Sequence, residues 1–214
     1  MHNSNYSFMG SIRWVLLAFL LFVPPSYAWE RDDRLAIMAS DLLPAILAAQ
    51  DSFHEFYFSS LSDNSITPTL TINVIYRKKR YLAEQAVKRI NSFKLVKGTQ
   101  LKAQAVSLKA FMRTRKEHGI TSKAEGSGNQ AFNRNEDGAH ITFIIEDLGK
   151  QLNSLLEYTH KDLTYSSSTK DVKEGVAVGI SVTEMVLPVV NLQALSKINI
   201  KFSSLFMRIV KRVE

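Results

Sequence analysis

Three short polar clusters hold the residue types that could do chemistry. Arg77, Lys78, Lys79 and Arg80 place four cations in a row directly after an apolar stretch. At the start of a helix such a run opposes the helix dipole by roughly 0.3 to 1 kcal/mol per exposed group, which an anion would offset. Backbone N–H groups at a helix start also suit a phosphate or carboxylate. These four residues are therefore candidates for holding an anionic ligand or an acidic partner patch, and the plainer alternative is a solvated charge run. Glu146 and Asp147 follow a second apolar stretch, where an N-cap and first helical turn favour acids. Glycoside hydrolysis would need two carboxylates facing one cleft, and adjacency does not establish that. Ser166, Ser167 and Ser168, with Thr169 and Lys170, offer hydroxyl and N–H groups that could bind a small ligand, or they form a polar loop.

Other chemistries find no support in the spacing. His54 and Glu55 lack the second histidine of a His-Glu-x-x-His zinc motif, and His118, His140 and His160 show no ligand spacing. No metal or other cofactor is expected. There is no Gly-x-Ser-x-Gly elbow, and residues 126–128 form neither that nor a phosphate loop. The chain has no cysteine, which removes thiol nucleophiles, thiol redox sensing and disulfides. Its basic residues are dispersed without an aromatic stacking platform, so nucleic acid is not an expected partner. The expectation is a protein that is not an enzyme.

The elements that must position these clusters alternate. Residues 31–58 carry Leu35, Met38, Leu42, Leu43, Ile46 and Leu47 at helical spacing, with Pro44 expected to kink or split the helix. Residues 69–76 read as a strand with Leu70, Ile72 and Val74 on one face. Leu82, Ala86, Val87 and Ile90 then mark a helix, and residues 101–108 another strand. A short helical stretch to Lys116 follows. Residues 119–138 are small, polar and Gly-bearing, and read as a loop or lid. Next come a buried strand over residues 140–145, a helix carrying Leu148, Leu152, Leu155 and Leu156, and a short strand over 163–165. Residues 176–182 and 185–190 form a hairpin across Thr183 and Glu184, with Pro188 pushing the second strand toward an edge. Asn191 opens a helix that Asn199 can stop, and Ser203 with Ser204 can cap a last helix bearing Leu205, Ile209 and Val213. Strand-helix alternation of this kind predicts an α/β fold. It is a single doubly wound, mostly parallel sheet with helices on both faces, a C-terminal β-hairpin and a closing helix.

Residues 1–28 read as a signal peptide. Arg13 precedes an apolar run over residues 14–23, Pro24 and Pro25 end it, and small residues at 26–28 place cleavage near Ala28. The run is shorter than the ~20 residues of a membrane span, so no stable membrane anchor is expected. The predicted location is the periplasm. The 214-residue chain carries +7 and has a pI near 9.5; residues 1–28 hold one basic and no acidic residue, leaving +6. That compartment lacks ATP and GTP, so nucleotide-dependent chemistry is not expected there, and residues 29–214 suffice for one core and are short for two, which makes a single domain the expectation.

The C-terminal order of residues 175–213 resembles the end of the YfiR-like family of periplasmic proteins. The features that carry the likeness are the hairpin, Asn191 followed by Leu192, a small-residue helix around Ala194, then Ser203 and Ser204 before a helix with Leu205, Arg208, Ile209 and Val210. Pro188 departs from the pattern, and the match weakens upstream. The resemblance implies a regulator that binds the periplasmic domain of an inner-membrane signalling protein, a diguanylate cyclase or histidine kinase, and acts as a repressor. The candidate contact face is Phe202, Leu205, Phe206 and Val210, residues that could as readily be core. The competing expectation is a periplasmic solute-binding protein holding a small anionic ligand near residues 77–80 and 166–168. A homodimer stays open.

Overall fold

The computed structural model describes residues 26–51, 53–58, 68–117, 139–183 and 185–213. Most of the expected signal peptide, the expected lid over residues 119–138 and Glu184 of the hairpin turn lie outside the described residues. The elements run α1 (Ser26–Ala48), α2 (Phe53–Phe58), β1 (Thr69–Tyr76), α3 (Arg80–Ser92), β2 (Gln100–Ser107), α4 (Leu108–Glu117), β3 (Ala139–Ile144), α5 (Gln151–Tyr158) and β4 (Leu163–Ser166). They continue through α6 (Thr169–Lys173), β5 (Val178–Val182), β6 (Val186–Asn191), α7 (Leu192–Ile198), α8 (Ser204–Ile209) and β7 (Lys211–Val213).

Among the described residues seven strands form one sheet in the order β2-β1-β3-β4-β5-β6-β7. The first five are parallel, β6 returns antiparallel to β5, and β7 runs parallel to β6. Alternation along the strands sorts their side chains onto two faces. Leu70, Ile72 and Val74 of β1, with Ile141 and Phe143 of β3, face a large core closed by α1, α2, α3, α7 and α8. Ile75 and Ile144 point the other way, into a smaller core closed by α4 and α5. Helices thus cover both faces, as the alternation predicted.

Three local expectations are corrected. The helix over residues 31–58 does not break at Pro44, which lies inside α1. It ends at Ala48, four residues later, because the C-terminal segment pairs just beyond it: Asp51 N–H donates to the Lys201 carbonyl at 2.9 Å, and Ser203 N–H to that of Ala49 at 2.9 Å. The last helix ends at Ile209, so Val213 belongs to a strand. The third is Pro188: β6 is paired on both sides, but β7 covers only residues 189–191 and leaves the outer side at Pro188 without a strand. The caps follow the sequence. Asn191 Oδ1 accepts from Ala194 N–H, Asn199 closes α7 in the left-handed conformation, and Ser203 Oγ accepts from Phe206 N–H.

The β2 edge is closed by a side chain. Asn91 of α3 accepts from Ala103 N–H at 2.7 Å through Oδ1 and donates to the Ala103 carbonyl at 3.2 Å through Nδ2. Its amide takes the place of one residue of a further strand, which blunts an edge that would otherwise template association. Replacing Asn91 with Ala is expected to cost about 0.5 to 1.5 kcal/mol and to promote self-association. Light scattering across a concentration series would detect this, and an unchanged monomer would show that other features protect the edge.

Candidate functional site

The first five strands stand in the doubly wound order 2-1-3-4-5, whose direction of winding reverses between β1 and β3. Ligands of open α/β sheets bind outside the carboxyl ends of the strands at such a point. A cleft of about 680 Å³ lies there. Its walls come from the ends of four parallel strands: Arg77, Lys78 and Lys79 after β1, Ile145, Glu146 and Asp147 after β3, Ser167 to Lys170 after β4, and Ile180 to Val182 of β5. Arg31, Asp32 and Leu35 of α1 and Tyr81 of α3 close the mouth. The fold therefore brings all three sequence clusters to one opening.

The geometry changes what each cluster does. α3 has no side-chain cap of its own and no acid in its first turn. Glu146 brings an acid to this end of the helix across the β1–β3 junction. Its Oε1 accepts the backbone N–H groups of Arg77, Lys78 and the N-cap residue Lys79 at 2.5, 2.8 and 3.1 Å. The N–H groups leading into α3 are thus held by a carboxylate of the chain itself, and Glu146 braces the entry to α3 rather than the helix that follows it. Asp147 acts locally, accepting Gly149 N–H at 2.7 Å.

The four cations separate. Arg77 and Lys78 stay exposed at the cleft. The Lys79 ammonium lies 2.5 Å from Asp33 of α1, and the hydroxyl of Tyr81 donates to the same carboxylate. That bond first, then burial, pushes the Tyr81 hydroxyl up to about 12. Arg80 is not in the cleft wall and pairs along α3 with Glu84 at 2.8 Å.

The serines are built into the fold rather than left for a ligand, and the segment is not simply a polar loop. Ser166 is buried at the end of β4 and does not reach the cleft. Its Oγ donates to Asp171 at 2.5 Å and accepts Ser168 N–H at 3.0 Å. Ser167 Oγ donates to the Ile145 carbonyl at 3.3 Å, and Ser168 caps α6 by accepting Lys170 N–H. Asp33, Tyr81 and Asp171 were not singled out by sequence. Asp171 had a local signal, because Ser168 and Asp171 stand in capping-box spacing; Asp33 had none.

The proposed partner face divides as well. Phe202 and Phe206 are both 7% exposed and belong to the core, and Val210 packs against it. Leu205 is 71% exposed, and Ile209, one turn on, is 55% exposed. Among the described residues no group of three or more His, Asp or Glu is placed to hold a metal ion, and no helix is long and apolar enough to cross a membrane. A second cleft, of about 420 Å³, opens near Thr164, Asn191 and Lys197.

Fold and cleft together define a doubly wound α/β domain with an opening at its carboxyl edge. No family model matches the chain, and no curated protein matches it. Among the solved structures to which the chain is similar are two of low identity. One is the ABC domain in complex with L-Trp from Streptococcus pneumoniae, with TM-score 0.47 and 10% identity, over 79% of this chain and 62% of that one. The other is a conserved domain protein from Vibrio cholerae, with TM-score 0.42 and 9% identity, over 75% and 57%. The chain spans about three-fifths of the length of these structures.

Glu146→Ala is expected to leave the N–H groups of Arg77, Lys78 and the N-cap residue Lys79 without their acceptor, at a cost of about 1 to 3 kcal/mol. Added sulfate should restore part of that loss by occupying the vacated donors. Thermal melts of both forms with and without sulfate measure it, and an equal salt response in the two would show that Glu146 does not hold those donors.

Proposed function

We propose that this protein is a non-enzymatic binding module that takes up a small ligand bearing an anionic group in the cleft beside Arg77 and Lys78. The supporting observation is the cleft itself, with polar groups converging from four strand ends on a volume of about 680 Å³, within the usual ~300 to 1,000 Å³ of ligand sites. Ile145, Ile180, Val182 and Leu35 give it apolar surface, so the ligand pairs a charged end with a short apolar body. Because Glu146 already holds the backbone donors of the turn, the anion is met by the exposed side chains of Arg77 and Lys78. In this reading the module acts in the periplasm, presenting its ligand to a transporter or sensor. Replacing Arg77 and Lys78 together with Ala should shift the melting temperature little and weaken binding of a short-chain carboxylate about tenfold or more, as loss of charged hydrogen bonds would. Calorimetry with a panel of such carboxylates and phosphates decides this. Equal affinity in the two forms, or no binding by either, sinks the proposal.

A second reading follows from Leu205 and Ile209, two large apolar side chains exposed one turn apart on α8. Together with the YfiR-like resemblance of the C-terminal segment, they support a contact with the periplasmic domain of an inner-membrane signalling protein, which the chain would hold inactive. Replacing both with Ser should leave stability within about 0.5 kcal/mol, as for other surface changes, while abolishing co-purification with such a membrane protein after crosslinking. Retention of the same crosslinked partner would rule this face out.

A further inference from the structure

We propose that the corner formed by α8 and β7 is a peripheral docking surface for a bilayer bearing anionic phospholipid. Charge along the chain is the first observation. Between Glu184 and Glu214 the sequence holds Lys197, Lys201, Arg208, Lys211 and Arg212 and no acid, so five of the chain's net +7 fall in this segment. Asymmetry of that kind points to attraction by an anionic surface. All five cations are exposed. Elsewhere the fold pairs cations with its own acids: Lys79 with Asp33, Arg89 with Asp41, Arg115 with Asp162 and Lys170 with Asp147. None of the five pairs with a described acid. Asp51 is joined to this corner by its N–H bond to the Lys201 carbonyl, yet its carboxylate forms no ion pair among the described residues.

Apolar surface at the same corner is the second observation. Leu205, Arg208 and Ile209 stand three and four apart on α8, so they share one face, and all three are exposed. Lys201 precedes the helix, and Lys211 and Arg212 follow it on β7. Arg212 is drawn back against α8 by donating to the Met207 carbonyl at 2.9 Å. Phe202 and Phe206 anchor the other side of α8 in the large core, which holds the exposed side chains outward. Two aliphatic groups that enter a headgroup layer while flanking cations meet phosphates are the elements of an interfacial contact. Among the described residues no helix crosses a membrane, so the contact is peripheral. A protein partner fits less well. Protein interface cores are enriched in aromatic residues and depleted of Lys, whereas both aromatic residues of this corner are buried and Lys201 and Lys211 border it.

This inference is independent of the cleft and competes with the protein contact drawn from the same two side chains. The chain has no cysteine, so Ser204→Cys, exposed beside Leu205, gives a single site on α8 for an environment-sensitive fluorophore. The labelled full chain is titrated with phosphatidylcholine vesicles, with and without phosphatidylglycerol, and a blue shift is expected only with phosphatidylglycerol. Arg208→Gln and Lys211→Gln should each weaken binding about fivefold, and Leu205→Ser with Ile209→Ser about tenfold or more. Salt near 1 M, which cuts the screening length to about 3 Å, should release the label. The same fluorophore at Glu157→Cys on α5, across the sheet, should not respond. The apolar run over residues 14–23 is common to every form, and a contact through it would not depend on the cations of this corner. A label at Ser204→Cys that ignores the vesicles, responds equally to neutral ones or keeps its affinity in the cation variants overturns the proposal. A silent label with the crosslinked membrane protein retained also overturns it and assigns the face to a protein.

Discussion

The grip of one carboxylate on the start of α3 is the contact on which the upper edge of the molecule depends. A helix begins with N–H groups that have no intrahelical partner, and α3 begins beneath four consecutive cations with no cap residue of its own. Glu146 accepts the N–H of the N-cap residue Lys79 and those of Arg77 and Lys78 in the turn before it, and places negative charge where the dipole and the cations need it. Because it comes from the end of β3 and the donors from the end of β1, the same bonds pin the two strands whose junction opens the cleft. The opening therefore has a fixed inner wall.

Charge elsewhere is handled by the same internal pairing. On the face covered by α4 and α5, the buried Arg115 lies 2.7 Å from Asp162, whose Oδ2 also accepts from Thr142, and the Arg115 guanidinium lies over the Phe111 ring. Asn73 and Gln104 bond across β1 and β2 on that face, and Thr164 accepts from Ala177 N–H. A buried ion pair contributes little net stability, since desolvation offsets its attraction, yet losing one partner is expensive. The opposite face is almost wholly apolar. The sheet thus has one almost wholly apolar face and one on which polar pairs stand beside a smaller apolar core.

The sequence carried more of the fold than of the site because the two depend on interactions of different range. β1 was legible over residues 69–76 because alternation of Leu70, Ile72 and Val74 is a local pattern, and the caps at Asn191, Asn199 and Ser203 are decided within a turn. The end of α1 was not legible, since residues 201–203 stop it from across the chain, and Pro44, the obvious local breaker, is accommodated within the helix. The three polar clusters were recognisable as residues destined for the carboxyl edge, but their roles were not. Glu146 and Arg77 are 69 positions apart, and nothing local tells a carboxylate that caps its own helix from one that caps another. The serines looked available because hydroxyls usually are; burial of Ser166 beside Asp171 is a tertiary fact.

α3 is fastened at both ends, by a carboxylate on its N-cap residue and by the Asn91 amide clasping β2 near its last turn. A rod held at two points resists both sliding and tilting, and Lys79 and Tyr81 tie α1 to it through Asp33. The β1–α3 side is therefore a braced wall of the cleft, set by contacts from three separate parts of the chain: α1, β2 and the segment after β3.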